Sequence, residues 1–127
     1  MDTKTMEAME AVEGYFSAVD GKQLQAVLRY LAPDATFRIA SFDTEFNGRD
    51  TEIKAMFERL FDRYQTIWHG DFHHVVDAKG CIASQFRVVN ETKELERFEK
   101  FNANFFTMKN GLFTRITVYM SGDNSLA

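Results

Sequence analysis

The stretch from residue 15 to residue 39 constrains the fold most, because it predicts two helices that feed directly into a strand. An apolar stripe with helical spacing predicts the first helix from about residue 5 to residue 19. Asp20-Gly21 is typical turn chemistry, and a second stripe predicts a helix over residues 24–31. Pro33 disfavours helical backbone at the residue before it, which ends that helix. Residues 36–40 then read as a strand.

The remainder of the chain predicts one more helix and an antiparallel meander. Asp50 is a good N-cap, and the apolar stripe behind it predicts a helix as far as Tyr64. Four strand-like runs follow, at residues 66–77, 81–90, 95–108 and 113–121. Short polar turns join them, and Asn110-Gly111 is a strong hairpin signal. Residues 122–127 lack any such pattern and are expected to be a loose tail.

Length and composition set the broad class of the protein. The chain has 127 residues, which predicts a single domain over residues 1–127. A net charge of −4 gives no electrostatic case for a nucleic-acid or membrane partner. Cys81 is the single cysteine, so neither an intrachain disulfide nor a cysteine-based zinc site is expected. No apolar run is long enough to span a membrane and the first residues lack a signal-peptide pattern, so a cytoplasmic location is expected.

Three helices followed by strands indicate an α+β fold. The third strand-like run carries large apolar groups on both faces, with Phe98 and Phe106 on one and Phe101 and Phe105 on the other. A solvated sheet face would be polar, so both faces are expected to be covered. The helices can cover one face. A second subunit is the simplest cover for the other, which predicts a homodimer through the outer sheet face.

The order of these features resembles a known superfamily. The features are a helix with Tyr15, the Asp20-Gly21 turn, a second helix, the run Ala-Pro-Asp-Ala-Thr-Phe at residues 32–37, and Asn47-Gly48-Arg49-Asp50 opening a helix before a meander. The chain is similar to the superfamily of ketosteroid isomerase, scytalone dehydratase, SnoaL-like polyketide cyclases and nuclear transport factor 2. This resemblance implies a cystatin-like cone, in which three N-terminal helices pack in the concave face of a strongly curved antiparallel or mixed sheet. It also implies an apolar pocket open at one end, and usually a dimer.

The comparison with ketosteroid isomerase implies roles for individual residues. Tyr15 falls on the family's oxyanion-hole tyrosine, and Asn104 falls on the position of its protonated aspartic acid. An amide N–H can also donate to an oxygen. Ile39 stands where the catalytic base is expected, and an aliphatic group cannot take a proton. The last strand, residues 116–120, also lacks the aspartate that SnoaL-like cyclases carry there.

The three histidines are candidates for proton transfer. On a regular strand His69 and His73 point the same way but lie about 13 Å apart, so they cannot share one metal ion. Either Trp68, Phe72 and His74 face the pocket, or His69 and His73 do. The first set is more apolar, which favours His74 as the acid/base candidate. A structural histidine is the alternative, and no metal site is expected.

The sequence therefore predicts an apolar pocket for a small cyclic or carbonyl-bearing molecule. The chain would be a cofactor-free isomerase, cyclase or dehydratase that acts by proton transfer, with Tyr15, Asn104 and His74 as catalytic candidates. The alternative is a non-catalytic ligand-binding or dimerising adaptor domain. The expected lining comprises Phe37, Ile39, Phe57, Leu60, Phe61, Trp68, Phe72, Phe86, Asn102, Phe106, Ile116, Val118 and Met120. Nothing in the sequence specifies the substrate.

Overall fold

The computed structural model describes residues 2–127, in which three α-helices and six β-strands alternate with short turns. The helices are α1 (Thr3–Asp20), α2 (Leu24–Arg29) and α3 (Lys54–Arg63). The strands are β1 (Leu31–Ile39), β2 (Thr44–Asn47), β3 (Thr66–Val76), β4 (Cys81–Glu91), β5 (Arg97–Lys109) and β6 (Leu112–Met120). A 3₁₀ turn (Ala40–Phe42) joins β1 to β2, and a π-helical turn (Gly48–Ile53) leads into α3.

The six strands form one mixed sheet in the order β2-β1-β6-β5-β4-β3. Strands β3, β4, β5 and β6 are the predicted antiparallel meander. Strand β1 pairs with β6 in parallel and with β2 antiparallel. The helices cover one face of the sheet and bury a single apolar core against it. The predicted α+β fold with helices against a mixed sheet is therefore confirmed.

The core is organised around the buried face of α1. Val12, Tyr15, Phe16 and Val19 are all almost fully buried, as the helical spacing of the apolar residues predicted. The ring of Tyr15 makes edge-to-face contacts with five aromatic rings, which come from all parts of the chain. Each fully buried side chain of this size contributes roughly 1.5–3 kcal/mol. These contacts fix α1 on the sheet, and α1 forms one wall of the site described below.

Two predicted helix boundaries are wrong. Helix α2 ends at Arg29, and β1 already begins at Leu31, so Pro33 lies inside a strand. The pairing of β1 with β6 is interrupted between Leu31 and Thr36. A residue without an N–H is tolerated there because the ladder is already broken. Asp50 is not an N-cap: it pairs with Arg49, and α3 begins only after the π-helical turn.

The predicted loose tail is also wrong. The guanidinium of Arg63 donates to the backbone oxygens of Ser125 and Ala127, at 3.0 Å and 2.6 Å. The ammonium of Lys100 donates to the oxygens of Ser121 and Asp123. These bonds hold residues 121–127, which we call the C-terminal segment, against the helical side of the sheet. Composition alone did not reveal them, because the acceptors are backbone oxygens.

None of the helices in the described part of the chain could span a lipid bilayer.

On the face of the sheet away from the helices, Phe101, Phe105 and Tyr119 are 65%, 46% and 48% exposed. Tyr119 and Phe105 pack edge to face, with their ring centres 5.9 Å apart. The outer face of the sheet is therefore apolar, as predicted. That a second subunit covers this face stays a prediction.

Candidate functional site

An internal cavity of about 40 Å³ lies between the sheet, α1, α3 and the C-terminal segment. It exceeds the ~10–15 Å³ that one water molecule needs. Its lining residues are Tyr15, Phe16, Val19, Phe37, Phe57, Leu60, Ile67, His69, Phe86, Val88, Asn90, Asn102, Asn104, Val118, Met120, Ser125 and Leu126. Most of them are apolar, and a few polar groups converge among them, which is the composition of a small-molecule site. The volume holds only a few water molecules, so a ring-sized ligand requires the cavity to open further.

Three buried asparagines supply unpaired polar groups to this cavity. The side-chain oxygens of Asn90, Asn102 and Asn104 have no hydrogen-bond partner among residues 2–127. Asn102 and Asn104 alternate with outward residues on β5, and Asn90 lies on neighbouring β4. Leaving a buried polar atom unpaired costs about 1–3 kcal/mol. Either water or a polar ligand inside the cavity can satisfy these three atoms.

Tyr15 lines the same cavity and carries a second kind of polar group. Burial raises the pKa of its hydroxyl, because the charged phenolate would be desolvated. The hydroxyl therefore stays protonated at neutral pH and can donate a hydrogen bond. Tyr15 and Asn104 thus both line the cavity.

A carboxylate–imidazole pair lies at the cavity wall between α1 and β3. Nδ1 of His69 is 2.5 Å from Oδ1 of Asp20, and Oδ2 of Asp20 accepts the backbone N–H of His69 at 2.9 Å. The imidazole ring stacks on Phe16 with a centroid distance of 4.5 Å. With Nδ1 held by the carboxylate, Nε2 is the ring nitrogen left for a ligand. This arrangement orients an imidazole to accept or donate a proton.

A bulge in β3 explains why neither of the two predicted sets of inward side chains is observed. The pairing of β3 with β4 shifts between Gly70 and His73, where Asp71 adopts a positive φ of 56°. The bulge reverses the alternation of side chains. His69 therefore faces inward before the bulge, and Phe72 and His74 face inward after it. Sequence reasoning missed this pairing of His69 with Asp20, because Asp20 was read only as a turn residue.

His74 lies outside the cavity lining, and both of its ring nitrogens have partners. Nδ1 is 2.7 Å from the hydroxyl oxygen of Ser84, and Nε2 is 2.8 Å from a carboxylate oxygen of Glu13. Its side chain is buried between α1 and β4. These contacts tie α1 to the sheet and leave no free nitrogen for a substrate.

The predicted lining agrees with the observed lining only in part. Phe37, Phe57, Leu60, Phe86, Asn102, Val118 and Met120 line the cavity as expected, together with Tyr15 and Asn104. Ile39, Phe106 and Ile116 are buried in the core beside it, and Phe61 and Phe72 pack against that core. Trp68 was misplaced, since it lies on the outer face, where the guanidinium of Arg87 stacks over its ring at 4.9 Å. The lining residues that the sequence did not predict are Phe16, Val19, Ile67, His69, Val88, Asn90, Ser125 and Leu126.

Ile39 is fully buried, and its aliphatic side chain has no atom that can accept a proton. Among residues 2–127, no group of three or more potential ligands is arranged to hold a metal ion. Two titratable side chains line the cavity, those of Tyr15 and His69.

Comparisons with known proteins agree with this architecture. A candidate polyketide cyclase from Xanthomonas campestris pv. campestris is 19% identical, with a TM-score of 0.83 over 92% of both chains. A LEH-like epoxide hydrolase from M. tuberculosis is 17% identical, with a TM-score of 0.79 over 91% of this chain and 84% of that one.

A protein of ketosteroid isomerase-like fold from Catenulispora acidiphila DSM 44928, solved with trimethylamine, is 15% identical, with a TM-score of 0.77 over 87% of this chain and 84% of that one. At these identities the structures show a shared fold. No curated protein matches by sequence. The SnoaL-like domain matches residues 12–116, which is most of the chain, and the protein therefore belongs to the SnoaL-like domain family.

Proposed function

We propose that the protein is a cofactor-free enzyme that moves a proton on a small cyclic or carbonyl-bearing molecule. The observation that carries this proposal is the Asp20–His69 pair on the wall of a mostly apolar cavity. A partly buried carboxylate that holds one imidazole nitrogen directs the other toward the bound molecule. The role that the sequence suggested for His74 thus passes to His69, whose Nε2 has no hydrogen-bond partner among residues 2–127.

In the proposed reaction, Nε2 of His69 takes a proton from a carbon next to the substrate carbonyl. Negative charge then develops on the carbonyl oxygen as the C–H electron pair moves into the new double bond. Tyr15 and Asn104 donate hydrogen bonds to that oxygen, which lowers the barrier. The imidazolium returns its proton to another carbon in an isomerisation, or to a leaving hydroxyl group in a dehydration. Asp20 stabilises the imidazolium between the two steps.

Solvent deuterium provides a test that does not require the natural substrate. We would incubate the protein with 2-cyclohexenone and with 4-hydroxycyclohexanone in D₂O and follow loss of the α-proton signals by NMR. We expect the wild-type protein to accelerate exchange, and His69→Gln to reduce that acceleration by about 10²–10⁴-fold.

His73→Gln is the matched control, because His73 lies on β3 beyond the bulge and its side chain is exposed. It should leave the exchange rate unchanged. Equal exchange in the wild-type protein and His69→Gln would contradict the proposed base.

The second candidate is a binding module without catalysis. The observation that favours it is the buried Ile39, which removes the base expected from the family comparison. This candidate predicts saturable binding of a small ligand with no exchange of its α-protons. Binding without exchange in the experiment above would select it.

We also propose that a second copy of the chain covers the outer face of the sheet. Phe101, Phe105 and Tyr119 form an exposed aromatic patch on β5 and β6. Hydrophobic core residues of interfaces are commonly aromatic, and a twofold axis lets one patch cover itself.

A further inference from the structure

Lys100 is a buried cation whose ammonium is held by backbone oxygens. It is 5% exposed, and its side chain points to the same face of β5 as Asn102 and Asn104. Its ammonium donates to the backbone oxygens of Ser121, at 2.9 Å, and Asp123. None of the ion pairs found among residues 2–127 includes Lys100. Buried charges are ordinarily paired with an opposite charge, so neutral oxygens are a weak substitute.

Strand pairing places Lys100 in the same row as the proposed base. On β4, Val88 pairs with His69 of β3 on one side and with Lys100 of β5 on the other. All three side chains lie on the helical face of the sheet, and Val88 and His69 line the cavity. Neighbouring strands are ~4.8 Å apart, so the backbones of His69 and Lys100 are separated by about 10 Å. That span suits a small molecule held at one end and deprotonated at the other.

The oxygens that hold Lys100 belong to a segment that also closes the cavity. Ser125 and Leu126 line the cavity, two to three residues after Asp123. Gly122 lies between the two acceptors with a φ of +69°, and a Cβ at this position would lie 3.0 Å from the ammonium nitrogen. The segment therefore approaches the ammonium closely because residue 122 has no side chain. Moving it would open the cavity and free the ammonium at the same time.

We propose that the ligand of this cavity carries a carboxylate, which Lys100 binds in place of the backbone oxygens of Ser121 and Asp123. This inference rests on the cavity proposed above as the substrate site, and it adds the class of substrate, a small cyclic carboxylic acid. The carboxylate gives the Lys100 ammonium a close ion pair, which the two backbone oxygens do not supply. The amides of Asn102 and Asn104, whose oxygens are unpaired among residues 2–127, then lie between the carboxylate and the region of Tyr15, where they contact the polar substituents of the ring.

Matched neutral and anionic probes test this proposal. We would titrate cyclohexanecarboxylate and cyclohexanecarboxamide into the ¹⁵N-labelled protein at pH 7 and follow the amide signals of His69 and Gly122. A hydrogen bond to a charged group contributes enough that the carboxylate should bind at least about tenfold more tightly than the amide. Its binding should also shift the Gly122 signal, because the C-terminal segment leaves Lys100.

Two variants test whether Lys100 causes the preference for the carboxylate probe. Lys100→Met keeps most of the side-chain volume and should remove the preference for the carboxylate. Lys109→Met is the matched control, since Lys109 lies on β5 with an exposed side chain, and it should keep that preference. A wild-type protein that binds both probes equally, or a Lys100→Met variant that still prefers the carboxylate, would overturn the proposal. The wild-type comparison stands by itself if the variant does not fold.

The binding test is independent of the proposed chemistry. His69→Gln should keep the carboxylate preference even though it loses proton exchange. A protein that prefers the carboxylate but exchanges no protons would retain this inference and reject the catalytic role of His69. A protein that exchanges protons but does not prefer the carboxylate would retain the catalytic role of His69 and reject this inference.

Discussion

Both carboxylate oxygens of Asp20 bind His69, one through Nδ1 at 2.5 Å and the other through the backbone N–H at 2.9 Å. Asp20 is the last residue of α1, where a negative charge opposes the helix dipole. A residue that breaks a local rule of stability is expected at a functional site. The two contacts fix both the position of β3 beside α1 and the orientation of one imidazole. This unfavourable position of Asp20 supports the proposed role of His69 in proton transfer.

Asp20→Asn should change the tautomer of His69. In the wild-type protein the carboxylate accepts Nδ1–H, which leaves Nε2 as the unprotonated nitrogen. An amide can present its NH₂ group to Nδ1, and the imidazole proton then moves to Nε2. Long-range ¹H–¹⁵N NMR spectra of the wild-type protein and Asp20→Asn should show this exchange of roles. Proton transfer in the D₂O assay should fall by about 10²-fold or more. An unchanged tautomer together with unchanged exchange would show that Asp20 has only a structural role.

Asn104→Leu should make the protein more stable and less able to bind. The substitution removes a buried amide whose oxygen has no partner, and the leucine side chain can occupy part of the cavity. We expect the free energy of unfolding, measured with urea, to rise by about 1–2 kcal/mol. The same variant should no longer bind cyclohexanecarboxylate or cyclohexanecarboxamide.

Asn104→Ala is the matched control for that substitution. It removes the same amide but leaves empty space, so it should gain less stability than Asn104→Leu. A large loss of stability in Asn104→Leu would indicate that the amide has a structural partner, such as a buried water.

The sequence predicted the fold well because the fold follows from local patterns. The stripe on α1 and the Asn110-Gly111 turn each determine nearby structure, and both lie as expected. The site was less predictable because it depends on long-range events. The bulge at Asp71 reverses the faces of β3, and its positive φ is not encoded by a glycine. Asp20 and His69 are 49 residues apart in the chain, so no local sequence pattern predicts that they pair.

Lys100 shows a second limit of sequence reasoning. The alternation on β5 places it on the same face as Asn102, but a lysine is ordinarily assigned to the solvent. Its burial depends on the C-terminal segment, whose backbone oxygens carry no sequence signal. Tyr15 and Asn104, by contrast, line the cavity, and each lies on a regular element whose inward face the sequence pattern predicts.

Phe101→Glu should prevent dimerisation through the outer face. Phe101 is 65% exposed at the centre of β5, so a charge there costs the monomer little. A carboxylate buried in a twofold interface would face its own copy and an apolar patch, which is unfavourable. Analytical ultracentrifugation should show a dimer for the wild-type protein and a monomer for the variant.

Leu95→Glu is the matched control, because Leu95 is 70% exposed but lies in the turn before β5. It should remain dimeric. A monomeric wild-type protein would contradict the proposed interface.

Lys100→Met should change how stability depends on pH. Burial lowers the pKa of the Lys100 ammonium below its ordinary value of 10.5, although the charge of Asp123 opposes this shift. Between the lowered pKa and 10.5 the unfolded chain binds more protons than the folded one, so wild-type stability rises with pH in that window. The variant lacks this group. Its free energy of unfolding, relative to the wild-type protein, should therefore fall between pH 7 and pH ~10.5. Urea unfolding at several pH values measures the difference, with Lys109→Met as the control that should show no such trend. A difference that stays constant with pH would mean that Lys100 is solvated as an ordinary surface lysine, which would also weaken its assignment as a carboxylate-binding group.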